Sequence, residues 1–277
     1  IKKKKYWKVE DYINNNSKKS LNDEINITEN LLNRSVKERL NADVPIGTLL
    51  SGGIDSSLVS YYAQKNSLKK INTYCVGFYN KNYDETEKSK KISQYLNTNH
   101  TNINVDVSDL KNLLPDLSQI YCEPFSDSSQ LPTYMISKKI SNHLKVALSG
   151  DGGDELFGGY NRYVYSNMIN KIQFLPKFLR KSLFNNNKNF IGDTISYIYS
   201  ILLNENYNIT EKKVYKFFNI ISKITRDVKY IDILSNSNFD KILNKNYIYD
   251  IKFRNEFISK KLPNNILVND FKYYLPR

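Results

Sequence analysis

The segment LLSGGIDSSLVS, residues 49–60, constrains the fold more than any other part of the chain. The apolar run that enters it, residues 46–50, predicts a short buried strand, and residues 56–66 have the apolar spacing of a helix. Only 10 glycines occur in 277 residues, yet Gly52 and Gly53 are adjacent here. A strand that ends in a glycine turn and continues into a helix predicts a βα unit.

The same alternation continues along the chain. Three further strands are predicted at residues 71–78, 101–107 and 145–149, and helical patterns separate them. Single helices between strands favour a parallel sheet, so we predict an α/β fold, a doubly wound parallel sheet with helices on both faces. Beyond Tyr165 the alternation stops, and apolar and aromatic stripes predict a mostly helical lobe.

Helix starts are predicted from capping residues. Thr28 is placed to cap a helix that follows a polar arm over residues 1–27. Asp84 and Glu87 have the spacing of a capping box. Ser108 is predicted to cap the helix that follows the third strand.

Composition limits the possible partners and compartments. The chain has 41 Lys and Arg against 28 Asp and Glu, a net charge of +13, but the basic residues are spread along the whole length without forming a stripe. We therefore expect no nucleic-acid partner, and no apolar run approaches the length of a membrane span. The two cysteines, Cys75 and Cys122, are too few for a disulfide framework, which favours a reducing cytoplasm. His100 and His143 lack metal-ligating neighbours and are interpreted as structural.

The residues of the glycine turn predict an anion site. Adjacent glycines let the main chain approach a phosphate closely, and the start of the following helix adds backbone N–H groups and a positive dipole end. Ser51, Ser56 and Ser57 add hydroxyl donors, and Asp55 is suited to hold a magnesium ion on the phosphate oxygens. The lysine-containing GxxxxGK[ST] loop of many nucleotide hydrolases is absent. The simpler alternative is a glycine turn that Asp55 or Ser56 caps.

A second acidic glycine loop, SGDGGDE at residues 149–155, follows the strand predicted at 145–149. The carboxyl ends of parallel strands lie at one edge of a sheet, so this loop is expected beside the first one, where ligands of open α/β sheets bind. Asp151 and Asp154 are then candidates for separate roles. The alternative is that one of them caps the helix that follows.

The two loops together resemble a known family. LLSGGIDSS is similar to the pyrophosphate loop of ATP-pyrophosphatases, and VALSGDGGDELFGGYNRY resembles the corresponding segment of class B, glutamine-hydrolysing asparagine synthetases. The intervening segments INTYCVGF, YDETEKSKKISQYLNTNH and EPFSDSSQLPTY follow the same family in order, so the resemblance extends over about residues 6–165. It implies an adenine nucleotide alpha hydrolase-like fold, with ATP and Mg²⁺ as cofactors.

The resemblance also implies roles for individual residues. The pyrophosphate loop would be Ser51, Gly52, Gly53, Asp55, Ser56 and Ser57; the adenine and ribose would lie against Leu50, Val76, Ser149 and Gly150. Asp55 and Asp154 would hold magnesium, and Asp151 would act in acyl-adenylate formation and ammonia handling. Asp127, Ser128 and Ser129 match the substrate-side loop, where Leu131 stands in place of an arginine that some members carry.

The implied reaction joins aspartate and ammonia, with ATP converted to AMP and pyrophosphate through β-aspartyl-AMP. The alternatives are an amidotransferase that acts on another carboxylate, such as a sugar acid, and an inactive nucleotide-binding remnant. The expected organisation is a linker arm from a missing glutaminase domain (1–27), a synthetase domain (28–165) and an incomplete helical lobe (166–277). A homodimer is possible, and no membrane partner is expected.

Overall fold

The computed structural model describes residues 4, 6–13, 19–78, 84–121, 129–160, 162, 163, 267, 268 and 270. The chain forms two compact units, one of residues 16–153 and the other of residues 1–15 with 154–277. The predicted helical lobe lies outside the described residues, apart from the three near the C-terminus. The domain boundaries given above stay a prediction.

A four-stranded parallel sheet forms the centre of the first unit. The strands are β1 (Ile46–Leu49), β2 (Asn72–Phe78), β3 (Asn99–Val105) and β4 (Val146–Leu148), in the spatial order β3-β2-β1-β4. Their pairing confirms the predicted parallel sheet. Because β2 and β4 lie on opposite sides of β1, the strand order reverses between β1 and β4, and such a reversal opens a crevice at the carboxyl ends of the strands.

Helices connect and cover the strands. In chain order they are α1 (Glu10–Ile13), α2 (Leu21–Arg39), α3 (Ile54–Lys65), α4 (Thr86–Leu96), α5 (Val107–Leu113), a 3₁₀ turn (Leu114–Asp116), α6 (Leu117–Ile120), α7 (Gln130–Ile140) and α8 (Gly153–Phe157). Of these, α1 and all of α8 except its first residue belong to the second unit.

Two apolar clusters show that both faces of the sheet are covered. On one face, Tyr74 and Val105 pack with Leu113 of α5 and Ile136 of α7. On the other, Val36 of α2 packs with Tyr62 and Ala63 of α3, and with Ile71 ahead of β2. This is the doubly wound arrangement that the alternation of strands and helices predicted.

A layer of buried hydroxyl groups joins the sheet to α3 and α4. The hydroxyls of Thr48 and Ser60 lie 2.8 Å apart, and the Thr73 hydroxyl lies 3.0 Å from that of Thr98 and 2.9 Å from Nδ1 of His100. Thr48, Ser60 and Thr73 are at most 1% exposed. Each buried hydroxyl therefore has a partner, as its loss of water requires. His100 contributes to this network, as its structural interpretation predicted.

The prediction that Thr28 caps the first long helix is wrong. Helix α2 begins at Leu21, where the side chain of Ser20 accepts from the Asp23 amide at 3.2 Å in a capping box. The Thr28 hydroxyl donates to the Glu24 carbonyl inside the helix. Residues 21–27 are consequently helical, although their polar composition favoured a linker.

Two further caps differ from prediction. Asp84 accepts from the Thr86 amide at 3.2 Å, while the N-cap residue of α4 is Glu85, so no capping box forms with Glu87. Helix α5 is capped by Asp106, two residues before the predicted Ser108. In α5 a carboxylate closer to the preceding strand satisfies the first amides, whereas in α4 the predicted Asp84 accepts from the Thr86 amide but lies one residue before the N-cap position.

In the second unit, Arg162 and Tyr163 both contact Asp270, which is fully buried. The Arg162 Nε donates to Asp270 Oδ2 at 2.7 Å, and the Tyr163 hydroxyl donates to the same oxygen at 2.6 Å. Burial, reinforced by this carboxylate, raises the pKa of Tyr163. Within the described residues, no helix has the length and apolar character needed to cross a bilayer.

Candidate active site

The glycine loop begins where β1 ends. Leu50 is fully buried, and its amide donates to the carbonyl of Tyr74 at 2.7 Å. The chain is therefore still hydrogen-bonded to β2 one residue after β1 ends. Gly52 has φ 84°, a left-handed conformation that a side chain would strain. Gly53 is the N-cap residue of α3 and offers no side chain to the first amides of that helix. A helix start without a side-chain cap favours an anion through its backbone amides and its dipole.

The serine hydroxyls of the loop are engaged with the loop itself. The Ser51 amide donates to the Ser56 hydroxyl at 3.2 Å, and the two hydroxyls lie 3.0 Å apart. The Ser57 hydroxyl donates to the Gly53 carbonyl at 2.6 Å. These contacts hold the loop in shape. The predicted hydrogen bonds from the serine hydroxyls to phosphate stay a prediction.

The second loop lies against the first. A Cβ on Gly150 would lie 2.7 Å from the Ser56 amide nitrogen and 3.0 Å from the Asp55 Cβ. A Cβ on Gly153 would lie 2.5 Å from the Asp55 Cγ. The loops after β1 and β4 therefore meet around Asp55, at the point where the strand order reverses. Sequence analysis did not single out Gly153, although the paired glycines of GDGGD are the signal that could have found it.

Asp151 is exposed in the second loop and is held by a short contact. The Ser149 hydroxyl donates to Asp151 Oδ2 at 2.9 Å, and the Asp151 amide lies 3.4 Å from that hydroxyl. This turn holds the carboxylate in the loop that follows β4. Ser149, predicted to lie near the ribose, is consequently a positioning partner of Asp151.

The remaining predicted nucleotide-contacting residue, Val76, belongs to β2. It is partly buried, pairs with Ile103 of β3 and packs against the apolar cluster on the α5–α7 face of the sheet. Val76 lies two residues before the end of β2, which places it near the carboxyl edge of the sheet. A contact between Val76 and adenine stays a prediction.

Asp154 belongs to the second compact unit. It lies in the first turn of α8, whose first residue is Gly153, so it is a helical residue and does not occupy the predicted N-cap position. A Cβ on Gly159 would overlap the Asp154 carboxylate, and the Gly159 amide donates to the Asp154 carbonyl at 3.0 Å. Gly159 thus leaves room for this carboxylate, a second contact that sequence analysis missed.

Of the three residues predicted for the substrate-side loop, the structure describes Ser129. Asp127 and Ser128 lie outside the described residues. Ser129 is exposed and is the N-cap residue of α7, where its side chain makes no capping hydrogen bond. Its role toward the substrate stays a prediction.

A lysine that sequence analysis did not select lies beside the glycine loop. A Cβ on Gly52 would lie 2.8 Å from the Cβ of Lys88 and 3.2 Å from the Ser89 amide nitrogen. The first turn of α4 thus packs directly on the loop. The signal that could have found Lys88 is its position, because a cation in the first turn of a helix opposes the helix dipole.

Within the part of the chain that the structure describes, no group of three or more His, Cys, Asp or Glu side chains is placed to bind a metal. A magnesium ion at Asp55 would take its other ligands from phosphate oxygens and water, as Mg²⁺ in nucleotide sites usually does. The carboxylate of Asp55 is bordered by Gly153 and supplies hard oxygen ligands, which suit this ion.

A doubly wound parallel sheet with a glycine loop between β1 and α3 defines an α/β protein of the class that binds ligands at the carboxyl edge of its sheet. A family model described as Asparagine synthase matches residues 28–245. The chain therefore belongs to the asparagine synthase family.

Curated relatives agree with this assignment. "Putative asparagine synthetase (glutamine-hydrolyzing) 2" of Methanocaldococcus jannaschii is 41% identical over 181 residues, 65% of this chain and 34% of the relative. Asparagine synthetase (glutamine-hydrolyzing) 1 of Bacillus subtilis is 34% identical over 149 residues, 54% of this chain and 23% of the relative. An Arabidopsis thaliana relative of the same name, numbered 3, is 32% identical over 169 residues. The chain thus spans about a third or less of the length of these relatives.

Among solved structures, an NH3-dependent NAD synthetase from Campylobacter jejuni matches 73% of this chain and 97% of its own, with 12% identity and a TM-score of 0.32. This similarity is too low to assign the fold. The assignment of the fold rests on the strand order and pairing described above.

Proposed function

We propose that this chain activates the side-chain carboxylate of aspartate with ATP and converts it to an amide. Aspartate, ATP and ammonia give asparagine, AMP and pyrophosphate, with β-aspartyl-AMP as the intermediate. The observation that carries the proposal is the meeting of two glycine loops around Asp55 at the reversal of the strand order. Membership of the asparagine synthase family and the names of the relatives support the choice of reaction.

In the first step, a carboxylate oxygen of aspartate attacks the α-phosphorus of ATP, and pyrophosphate departs. The first-turn amides of α3 and the backbone of Gly52 bind the negative charge of the leaving group. The serine contacts keep these amides in place before the nucleotide arrives, so little reorganisation is needed.

In the second step, the ammonia nitrogen attacks the acyl carbon, a proton leaves the nitrogen, and AMP departs. Asp151 is the candidate to orient ammonia and to accept that proton, because its carboxylate is exposed in the loop after β4 and held by Ser149. This role of Asp151 comes from the family resemblance.

Asp55 is the residue of the first unit that would hold magnesium, and Asp154 is the second ligand implied by the sequence. Magnesium bound there offsets the charge of the phosphate oxygens. Asp55 contributes its carboxylate and keeps its position through the close approach of Gly153. The same proposal includes glutamine as the source of ammonia and a glutaminase domain in the whole protein. It also includes a homodimer and a cytoplasmic location.

Product analysis tests the reaction. The chain is incubated with ATP, magnesium, aspartate and ammonium chloride, and the nucleotide and amino-acid products are separated. Formation of AMP and asparagine in equal amounts is expected. Formation of AMP only with another acid would support the amidotransferase alternative, and ADP would contradict attack at the α-phosphorus. Binding of Mg-ATP without any turnover would favour an inactive nucleotide-binding protein.

A further inference from the structure

We infer that Lys88 is a pyrophosphate-contacting residue of the glycine loop, in addition to the backbone groups of that loop. The inference rests on the proposed function, since it names a further residue that binds the departing pyrophosphate. Three observations carry it: the position of Lys88 against Gly52, the exposure of its side chain, and its place in the first turn of α4.

The position follows from the packing of α4 on the loop. Among the described residues outside the loop, Lys88 has the heavy atom nearest to the point where a Gly52 Cβ would be, its Cβ at 2.8 Å. The side chain of Lys88 therefore begins beside the Gly52 backbone, which is proposed to approach the phosphates. A lysine has a flexible four-carbon stem, so its ammonium group can reach an anion bound at the neighbouring amides.

Exposure leaves this ammonium group available. Lys88 is exposed, and among the described residues no hydrogen bond or ion pair engages it. By contrast, Lys139 donates to the Asn104 carbonyl at 3.0 Å, and Lys65 lies over the rings of Tyr61 and Tyr62. Lys88 thus has no structural role in the described part of the chain that would explain its placement.

The third observation is electrostatic. Lys88 is the third residue of α4, where the helix dipole disfavours a cation and favours an acid such as Glu87. A residue that opposes a local preference of this kind is often explained by a ligand. A pyrophosphate bound at Gly52 would offset the unfavourable interaction between the Lys88 charge and the helix dipole.

The matched comparison is between Lys88→Met and Lys90→Met. Both substitutions remove one positive charge from an exposed position of α4, but only Lys88 lies against the loop. The binding of pyrophosphate, ATP and AMP to each variant, with magnesium present, is measured by isothermal titration calorimetry. Melting temperatures without ligand show whether each variant folds.

We expect Lys88→Met to raise the Kd for pyrophosphate and ATP about tenfold, the usual effect of losing one charge-assisted hydrogen bond. AMP has no β-phosphate and its affinity should stay within about twofold. Lys88→Arg should retain most of the pyrophosphate affinity because it keeps the charge. Without ligand, Lys88→Met should melt at the same temperature as the parent or slightly higher, since an unfavourable charge leaves the helix start.

Equal losses in Lys88→Met and Lys90→Met would overturn the inference, because they would show a general effect of net charge. Unchanged pyrophosphate binding in Lys88→Met, with normal binding by the parent chain, would also overturn it and leave the proposed function intact. Failure of the parent chain to bind either pyrophosphate or ATP would overturn both.

Discussion

Asp55 and Gly153 approach each other so closely that a Cβ on Gly153 would lie 2.5 Å from the carboxyl carbon of Asp55. The two residues are 98 positions apart in the sequence, on the loops after β1 and β4. Their contact fixes where the carboxylate lies, because a side chain at residue 153 would have to displace it.

Gly153→Ala should destabilise the fold by about 1–3 kcal/mol, since the added methyl group overlaps the Asp55 carboxylate. In an Asp55→Ala background the same substitution should have almost no effect, because the overlapping group is gone. Urea denaturation of the four proteins of this cycle measures the coupling. An equal loss in both backgrounds would show that Gly153 is required for another reason.

Asp55→Asn should abolish the magnesium-dependent part of the stabilisation that ATP gives, while the melting temperature without ligand changes little. The substitution keeps the shape of the side chain and removes the charge that a magnesium ion requires. Thermal denaturation with ATP, with and without magnesium, is the measurement. If Asp154 is the second ligand, Asp154→Asn should have the same effect. An unchanged magnesium-dependent shift in melting temperature would show that the Asp154 carboxylate does not bind the metal.

Thr48→Val should destabilise the first unit by about 1–3 kcal/mol because it leaves the buried Ser60 hydroxyl without its partner at 2.8 Å. The double variant Thr48→Val/Ser60→Ala should be more stable than Thr48→Val alone, since no hydroxyl is then left unpaired. Chemical denaturation compares the three proteins. A double variant less stable than Thr48→Val alone would indicate that Ser60 has a different main contact.

His100 should make stability depend on pH. Burial lowers the pKa of His100 below 6.5, with a smaller opposing effect from the Asn102 carbonyl oxygen. The unfolded state therefore binds a proton first, and the free energy of unfolding should fall as pH drops below about 6.5. Denaturation at pH 7.5 and 5.5 measures this loss. His100→Gln should reduce the loss, and an equal loss in the parent and His100→Gln would contradict the role of His100.

Arg162→Met should destabilise the second unit by about 3–5 kcal/mol because it removes the cation that pairs with the fully buried Asp270 at 2.7 Å. Adding Asp270→Asn should recover part of the loss, since the buried charge is removed. Limited proteolysis of the C-terminal half reports local opening. Equal protection in the parent and Arg162→Met would contradict a stabilising role for this ion pair.

The sequence by itself determined the α/β class, the four strands and most of the helices that separate them. Apolar strand runs and helical apolar spacing are local properties of the sequence. A parallel sheet covered by helices on both faces needs both patterns, so the sequence contains them whatever the order of the strands. The glycine turn after β1 was predictable for the same reason, because the change from strand to helix within a few residues demands such a turn.

The tertiary structure decided the helix starts. Ser20 and Thr28 are both good N-cap residues, and the free energies of such caps differ by too little to select one. Helix α2 extends back to Leu21, where Ser20 and Asp23 complete a capping box. The packing of Val36 and Leu32 against α3 stabilises the longer helix as a whole. Local capping preferences alone could not predict this.

Tertiary structure alone also decided which residues surround Asp55. The order β3-β2-β1-β4 places β4 beside β1, although nearly 100 residues separate them, and this brings Gly150 and Gly153 against the carboxylate. The packing of α4 places Lys88 against Gly52 in the same way. Strand order and helix docking depend on the packing free energy of the whole unit, which no local pattern contains.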